Sequence, residues 1–205
     1  MIPGPGPSDP PSVSFDGSEL RHSRLWMVGA GANYTVGSWL FKSEIAWQHG
    51  IDYTTSTLVD LAPFGGVGTV DVPTGTVEKS RLDFMAGIEY YGFTDANISI
   101  EVANRHIFGF RDDMRPLFGL QENSLETSIR VSHTFLNERL EIACVGLIFG
   151  LYAQDGSVVR LEASYDVIDA LELGGGIVFY QKGDPIPFDT IKKNDRFFVE
   201  VKYSF

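Results

Sequence analysis

The chain has 205 residues, a formal net charge of −11 and a pI near 4.7, a balance that argues against nucleic acid or an anionic surface as partner. Its mean hydropathy is −0.01, with 43% hydrophobic residues, and no run approaches the roughly 18 apolar residues of a membrane helix. The single cysteine, Cys144, excludes an intramolecular disulfide and a cysteine-pair metal site.

The first eleven residues carry Pro and Gly at high density and lack the basic region, apolar core and cleavage site of a signal peptide. Such a segment cannot pack a core. It predicts disorder over residues 1–20, ahead of β-barrel strands over 21–205, in a chain without its own signal peptide.

From Arg24 the sequence alternates. Strand one, Arg24–Val36, puts Trp26, Val28, Ala30, Ala32, Tyr34 and Val36 on one face. A tight turn at Gly37-Ser38 leads to strand two, Trp39–His49, with Trp39, Phe41, Ile45 and Trp47 opposite Lys42, Glu44 and Gln48. Gly50 to about Val77, rich in Thr, Gly and Pro, predicts a long loop. Its Gly65-Gly66-Val67-Gly68 lacks the Lys-Ser/Thr of a phosphate cradle and predicts a flexible surface loop.

Strand three, Arg81–Phe93, sets Leu82, Phe84, Ala86, Ile88 and Tyr90 against Arg81, Asp83 and Glu89. Strand four, Ile98–Phe110, sets Ile98, Ile100, Val102 and Phe108 against Glu101 and Arg105, and a second long loop runs from Arg111 to Glu122. Strand five is Asn123–Phe135, with Glu126 and Arg130 on its polar face. Strand six, Arg139–Tyr152, is apolar on both faces beyond Glu141. Strand seven, Val158–Val167, carries Arg160 and Glu162, and strand eight, Leu171–Lys182, carries Glu172. A loop from Gly183 to Asp195 precedes the closing strand, Arg196–Phe205. There Phe197, Val199, Val201, Tyr203 and Phe205 oppose Arg196, Phe198, Glu200, Lys202 and Ser204. A closing strand of this kind, ending in Phe, looks like the last strand of a bacterial outer-membrane barrel.

The pattern predicts an all-β, antiparallel meander of about nine long strands, of the transmembrane β-barrel type. Alternation alone leaves the polarity open, because a soluble barrel or sandwich hides the apolar face that a membrane barrel shows to lipid. Three features favour lipid. Most strands carry charges of both signs on one face, which suits a wet lumen. Short turns alternate with long connections, as in outer-membrane barrels. Aromatics gather at both ends of the apolar face: Trp39, Tyr90, Phe135, Tyr165 and Phe205 at the short-turn end; Trp26, Trp47, Phe108, Phe179 and Phe197 at the other. Trp39 and Trp47 lie about 26 Å apart along a strand, near the height of an apolar band once tilted. Nine is an odd number where single-chain bacterial barrels are even. The expectation is therefore a C-terminal portion, folded as an open sheet or partial barrel in which strand one is not bonded to strand nine.

With the strands placed, residues 21–205 resemble the C-terminal part of the DUF1302 family of proteobacterial outer-membrane proteins. The resemblance rests on His22-Ser23-Arg24-Leu25, on Glu78-Lys79-Ser80-Arg81-Leu82 before a strand ending Tyr90-Tyr91-Gly92-Phe93, and on Asn194-Asp195-Arg196 before Val201-Lys202-Tyr203-Ser204-Phe205. It implies a large barrel passing hydrophobic or organic compounds, with no catalytic residues to carry over.

The functional expectation is a porin-like channel or uptake barrel in the Gram-negative outer membrane. Its partners would be outer-membrane lipid, the barrel-insertion machinery that reads the strand ending in Phe205, and a small-molecule permeant. Candidate lumen residues are Arg81, Asp83, Glu101, Arg105, Glu126, Arg130, Arg160, Glu162, Glu200 and Lys202, with Lys42, Glu44, Glu89 and Glu172 beside them. For any one of these, a mutually neutralised, solvated wall is the blander role. On strand six, Ala143, Val145, Leu147, Phe149 and Leu151 would form an apolar stripe inside. The alternative is a soluble ligand-binding β-barrel or sandwich; an outer-membrane hydrolase is weaker still, because His106 and His133 fall on the apolar face and Ser128 and Ser132 on the other. No cofactor or metal is expected; Asp112-Asp113 matches no twelve-residue calcium loop.

Overall fold

The computed structural model describes residues 24–115, 119–185 and 188–205. The proline-rich segment 1–20 lies outside the described residues. Nine antiparallel strands form one sheet in chain order: β1 (Trp26–Val36), β2 (Trp39–Asp60), β3 (Thr69–Phe93), β4 (Ala96–Ile107), β5 (Asn123–Phe135), β6 (Leu140–Phe149), β7 (Ser157–Ile168), β8 (Leu171–Gln181) and β9 (Arg196–Tyr203). Each strand pairs with its sequence neighbours, so all contacts along the sheet are made by hairpins. Among the described residues β1 bonds only to β2, and β9 only to β8. The sheet is open, as the odd strand number predicts. Short turns at 37–38, 94–95, 136–139 and 169–170 lie at one end, and the longer connections at the other.

Register preserves the two faces across the sheet. Trp39 opposes Tyr90, Phe41 opposes Ile88 and Ile45 opposes Phe84, while Gln48 opposes Arg81 and Asp83 opposes Arg105. Since side chains alternate with period two, a one-residue slip would exchange the faces of a whole strand. The apolar face is open: Phe84 and Ile45 are each 47% exposed, and Val201, Tyr203 and Phe205 are exposed too. On the ionic face exposure varies, from 16% and 26% for the side chains of Glu89 and Lys42 to 47% and 62% for those of Arg105 and Lys202. The hollows lined by Arg130, Glu162 and Glu200, and by Val145, Arg160 and Arg196, also lie on the ionic face. We call it the inner face. The reversed arrangement, with Phe205, Tyr203 and Val201 sealed inside, is not the one this fold adopts.

Sequence reading erred most between Gly50 and Val77. That stretch is not a loop but the outer half of a hairpin in which β2 runs 22 residues and β3 runs 25. The Thr and Val residues from Thr54 to Val59 and from Thr69 to Val77 are β-branched, and they suit a paired strand more than a flexible loop. Gly65-Gly66-Val67-Gly68 belongs to the hairpin tip, closed by the Leu61 amide on the Gly68 carbonyl at 2.9 Å. Gly65 and Gly68 have φ of 77° and 94°, so the glycines serve turn geometry. Two strand ends also differ. β4 stops at Ile107, and β6 stops at Phe149, which leaves Leu151 exposed in the following turn and off the inner stripe.

The long hairpin contains a bulge. Gln48 opposes Arg81 and Ile51 opposes Lys79, so His49 and Gly50 together face Ser80. The extra residue exchanges the faces of β2 beyond it. Ile51 and Tyr53 therefore join the inner face, where they pack with Val77, Ile107, Met114, Phe110 and Leu120. Met114 and Ile107 are 0% and 1% exposed. Met114 comes from a short 3-10 turn, Asp112–Met114, folded back against β2. Gly50 has φ of 85°, and a Cβ there would lie 2.2 Å from the Arg24 carbonyl oxygen. Gly50→Val should therefore lower the denaturant midpoint by the equivalent of about 3 kcal/mol, whereas Gly37→Ala, with no atom within 4 Å of its Cβ, should cost about 1 kcal/mol. Equal midpoints for the two variants would remove the bulge from this role.

Candidate functional site: the ionic inner face

All ten charged residues singled out in the sequence share the inner face by register. Arg81, Asp83, Glu101 and Arg105 come from β3 and β4, and Glu126 and Arg130 from β5. Arg160, Glu162, Glu200 and Lys202 come from β7 and β9. The structure joins them into separate groups. Lys42 lies 2.9 Å from Glu89 and 3.0 Å from Glu101, and the Asn97 amide donates to Glu89 at 2.9 Å. Asp83 accepts from Arg81 and from the Gln48 amide, and sits 3.5 Å from Arg105. Arg160 pairs with Glu162 at 2.6 Å, and Lys202 with Glu172 at 3.3 Å. Glu44, Glu126, Arg130 and Glu200 lie on the same face without an ion-pair partner within 4.0 Å among the described residues. Sequence reasoning put Gln48 on the polar face without giving it a role and missed Asn97, because amides carry no charge to flag them.

β5 to β9 enclose a different surface. Gly176 has no side chain, and a Cβ there would lie 2.8 Å from Phe198 Cζ. The Phe198 ring therefore rests over β8, and the Arg160 guanidinium lies 4.6 Å from that ring's centroid, close enough for a cation–π contact. A hollow of about 450 Å³ follows, with Val145, Leu147, Val158, Val178 and Phe198 as its apolar lining and Arg160, Tyr180, Arg196 and Glu200 as its polar lining. It contains the middle of the apolar stripe expected on strand six. Phe198 carried a sequence signal, as the one large apolar residue on the charged face of the last strand.

The outer face carries ring pairs near both ends of the strands. Trp39 meets Tyr90 at 4.4 Å, and Tyr90 meets Phe93 at 4.9 Å, at the short-turn end. Trp47 stacks on His49, and His106 lies edge-on to Phe108, at the other. His133 stacks on Phe135. His106 bonds Asn123 and His133 bonds the Thr134 carbonyl, so both histidines are tied within the aromatic belts, away from Ser128 and Ser132 on the inner face.

The bulge brings together one serine and histidine that the sequence analysis did not pair. His49 Nδ1 lies 2.8 Å from Ser80 Oγ, and Nε2 lies 3.7 Å from Glu78. The carboxylate is beyond hydrogen-bond length, and the His49 and Glu78 side chains are 49% and 60% exposed. Water at such sites screens the pair.

The comparisons with known proteins agree with this geometry. The family described as a protein of unknown function (DUF1302) matches residues 18–205. The chain belongs to the DUF1302 family. No match was found among curated proteins. Among solved structures, the chain is similar to in-vitro folded OmpT, an outer membrane protein of Vibrio cholerae, at 14% identity and a TM-score of 0.49, covering 77% of this chain and 45% of that one. A loop L8 deletion mutant of the same protein gives 13% identity and a TM-score of 0.50, covering 87% and 53%. This DUF1302 chain thus spans about half the length of the solved chains it matches. The fold is that of an outer-membrane β-barrel, open along one side.

Two outcomes test the site. Lys42→Met leaves two carboxylates on a half-covered wall and should destabilise the protein by about 1–2 kcal/mol, whereas Lys202→Met should cost under about 0.5 kcal/mol in the same denaturant titration. The His49–Ser80 contact should be structural: the purified protein should hydrolyse p-nitrophenyl butyrate no faster than its Ser80→Ala variant.

Proposed function

We propose that this DUF1302 chain forms part of the wall of an outer-membrane channel for small molecules and is not an enzyme. One observation supports this reading above the rest. A single-layer sheet presents oily rows on one side and charges of both signs on the side that carries the hollows. Hydrocarbon accepts the first surface and water the second. The aromatic pairs at the two ends suit the two lipid–water interfaces, and outer-membrane lipid is the partner they imply. The exposed final strand, ending in Phe205, is the segment the insertion machinery would read.

The same reading asks what covers the edges. Unpaired N–H and C=O groups cannot persist in hydrocarbon. β1 and β9 run in the same direction in this nine-stranded meander. Antiparallel closure then takes an odd number of further strands. A second copy of this sheet would instead set β1 parallel to β9, so further strands of the same protein are the fitting partner.

Cys144 and Val145 are neighbours on opposite faces of β6: Cys144 opposes Val131 on the outer side, and Val145 opposes Arg130 on the inner. In protein reconstituted into liposomes, a charged, water-soluble maleimide should modify Cys144 at least about tenfold more slowly than Val145→Cys in a Cys144→Ala background, because thiolate formation requires water. The same liposomes should swell in sucrose. Faster labelling at Cys144 would reverse the polarity, and absence of swelling would remove the channel.

A further inference from the structure

The inner face of β5–β9 holds three arginines in one hydrogen-bonded row. Arg130 on β5 opposes Val145 on β6, Val145 opposes Arg160 on β7, Arg160 opposes Val178 on β8, and Val178 opposes Arg196 on β9. Cations thus alternate with valines across five strands. Strands lie about 4.8 Å apart, so successive arginines stand about 10 Å apart. The row begins at the first residue of β9, at the long-loop end, and reaches the middle of β5. It therefore slopes from one rim into the wall.

These arginines are unevenly compensated. Arg160 has Glu162. Arg196 donates to the Tyr180 hydroxyl and lies over that ring at 5.6 Å. Among the described residues no carboxylate lies within 4.0 Å of Arg196 or Arg130. The row from Val145 to Arg196 itself lines the hollow of about 450 Å³, whose apolar part is Val145, Leu147, Val158, Val178 and Phe198. Glu200 bounds it on the short-turn side and repels a negative group there. Cations on one border, an anion on the other and hydrocarbon between them define an oriented amphipathic site.

We propose that this track binds amphipathic organic carboxylates, with the carboxylate on Arg196 and the apolar body over Val158 and Phe198. A guanidinium offers a carboxylate two parallel N–H donors, and the valines cover the hydrocarbon. The proposal rests on the channel reading only for the role of the track; the binding itself stands on the row and the hollow.

The test uses protein isolated from outer membranes and placed in nanodiscs, with radiolabelled decanoate, decyltrimethylammonium and acetate measured against empty discs. Decanoate should bind more tightly than both other probes. Arg196→Gln should weaken decanoate binding at least about tenfold, the loss expected when a charge-assisted contact goes, while Arg196→Lys, which keeps the charge and loses the fork, should fall between Arg196→Gln and wild type. Val158→Ser should weaken decanoate and leave the acetate signal where it was. Equal decanoate binding by wild type and a folded Arg196→Gln, judged by heat-dependent gel migration, would overturn the proposal. So would a preference for the ammonium probe. Binding without sucrose swelling would keep the site and remove the channel, and swelling with no Arg196-dependent binding would do the reverse.

Discussion

A single-layer sheet has no interior of its own, and that constraint governs this protein. Its backbone polar groups are satisfied laterally by neighbouring strands. Its side chains must then be satisfied by whatever lies on each side. Only five hydrophobic residues are buried among the described ones, and three of them form the cluster at the long-loop end. Everywhere else the apolar rows are open. Such a surface fits hydrocarbon and does not fit water, since soluble proteins rarely expose an apolar area of this continuity.

The bulge at His49 and Gly50 marks where that rule changes. Below it the greasy residues of β2 point out; beyond it Ile51 and Tyr53 point in and meet Ile107 and Met114. One inserted residue is enough, because the period of a strand is two. The long hairpin therefore has a small core of the soluble kind at its base. The 3-10 turn carrying Met114 folds onto the inner side, which narrows that end of the wall.

The inner face is likewise two surfaces. Between β2 and β4, Lys42, Arg81 and Arg105 are matched to Glu89, Glu101 and Asp83, and of the inner-face charges named there only Glu44 is left without an ion-pair partner within 4.0 Å among the described residues. Between β5 and β9, Arg130 and Arg196 have no carboxylate within 4.0 Å among the described residues, and apolar residues lie beside them. Compensated charge passes solutes without holding them, whereas an arginine beside valine and phenylalanine holds a molecule that has both characters.

Alternation along the chain determined most of this protein by itself: the strand class, the neighbour order, the faces of Arg81 to Lys202 and the open edges implied by an odd strand count. These are local properties, and a hairpin meander converts local order directly into spatial order. Two things were decided only in three dimensions. The Thr-rich stretch after Gly50 is strand because it pairs across the hairpin, with Thr54, Thr57 and Val59 opposite Thr76, Val72 and Val70, and the bulge that redirects it is invisible until the register is known. The arginine row exists only because strands of different length and turn align residues 130, 160 and 196, far apart in the chain, on one line of hydrogen bonds. Register is a relation between strands, and no single strand contains it.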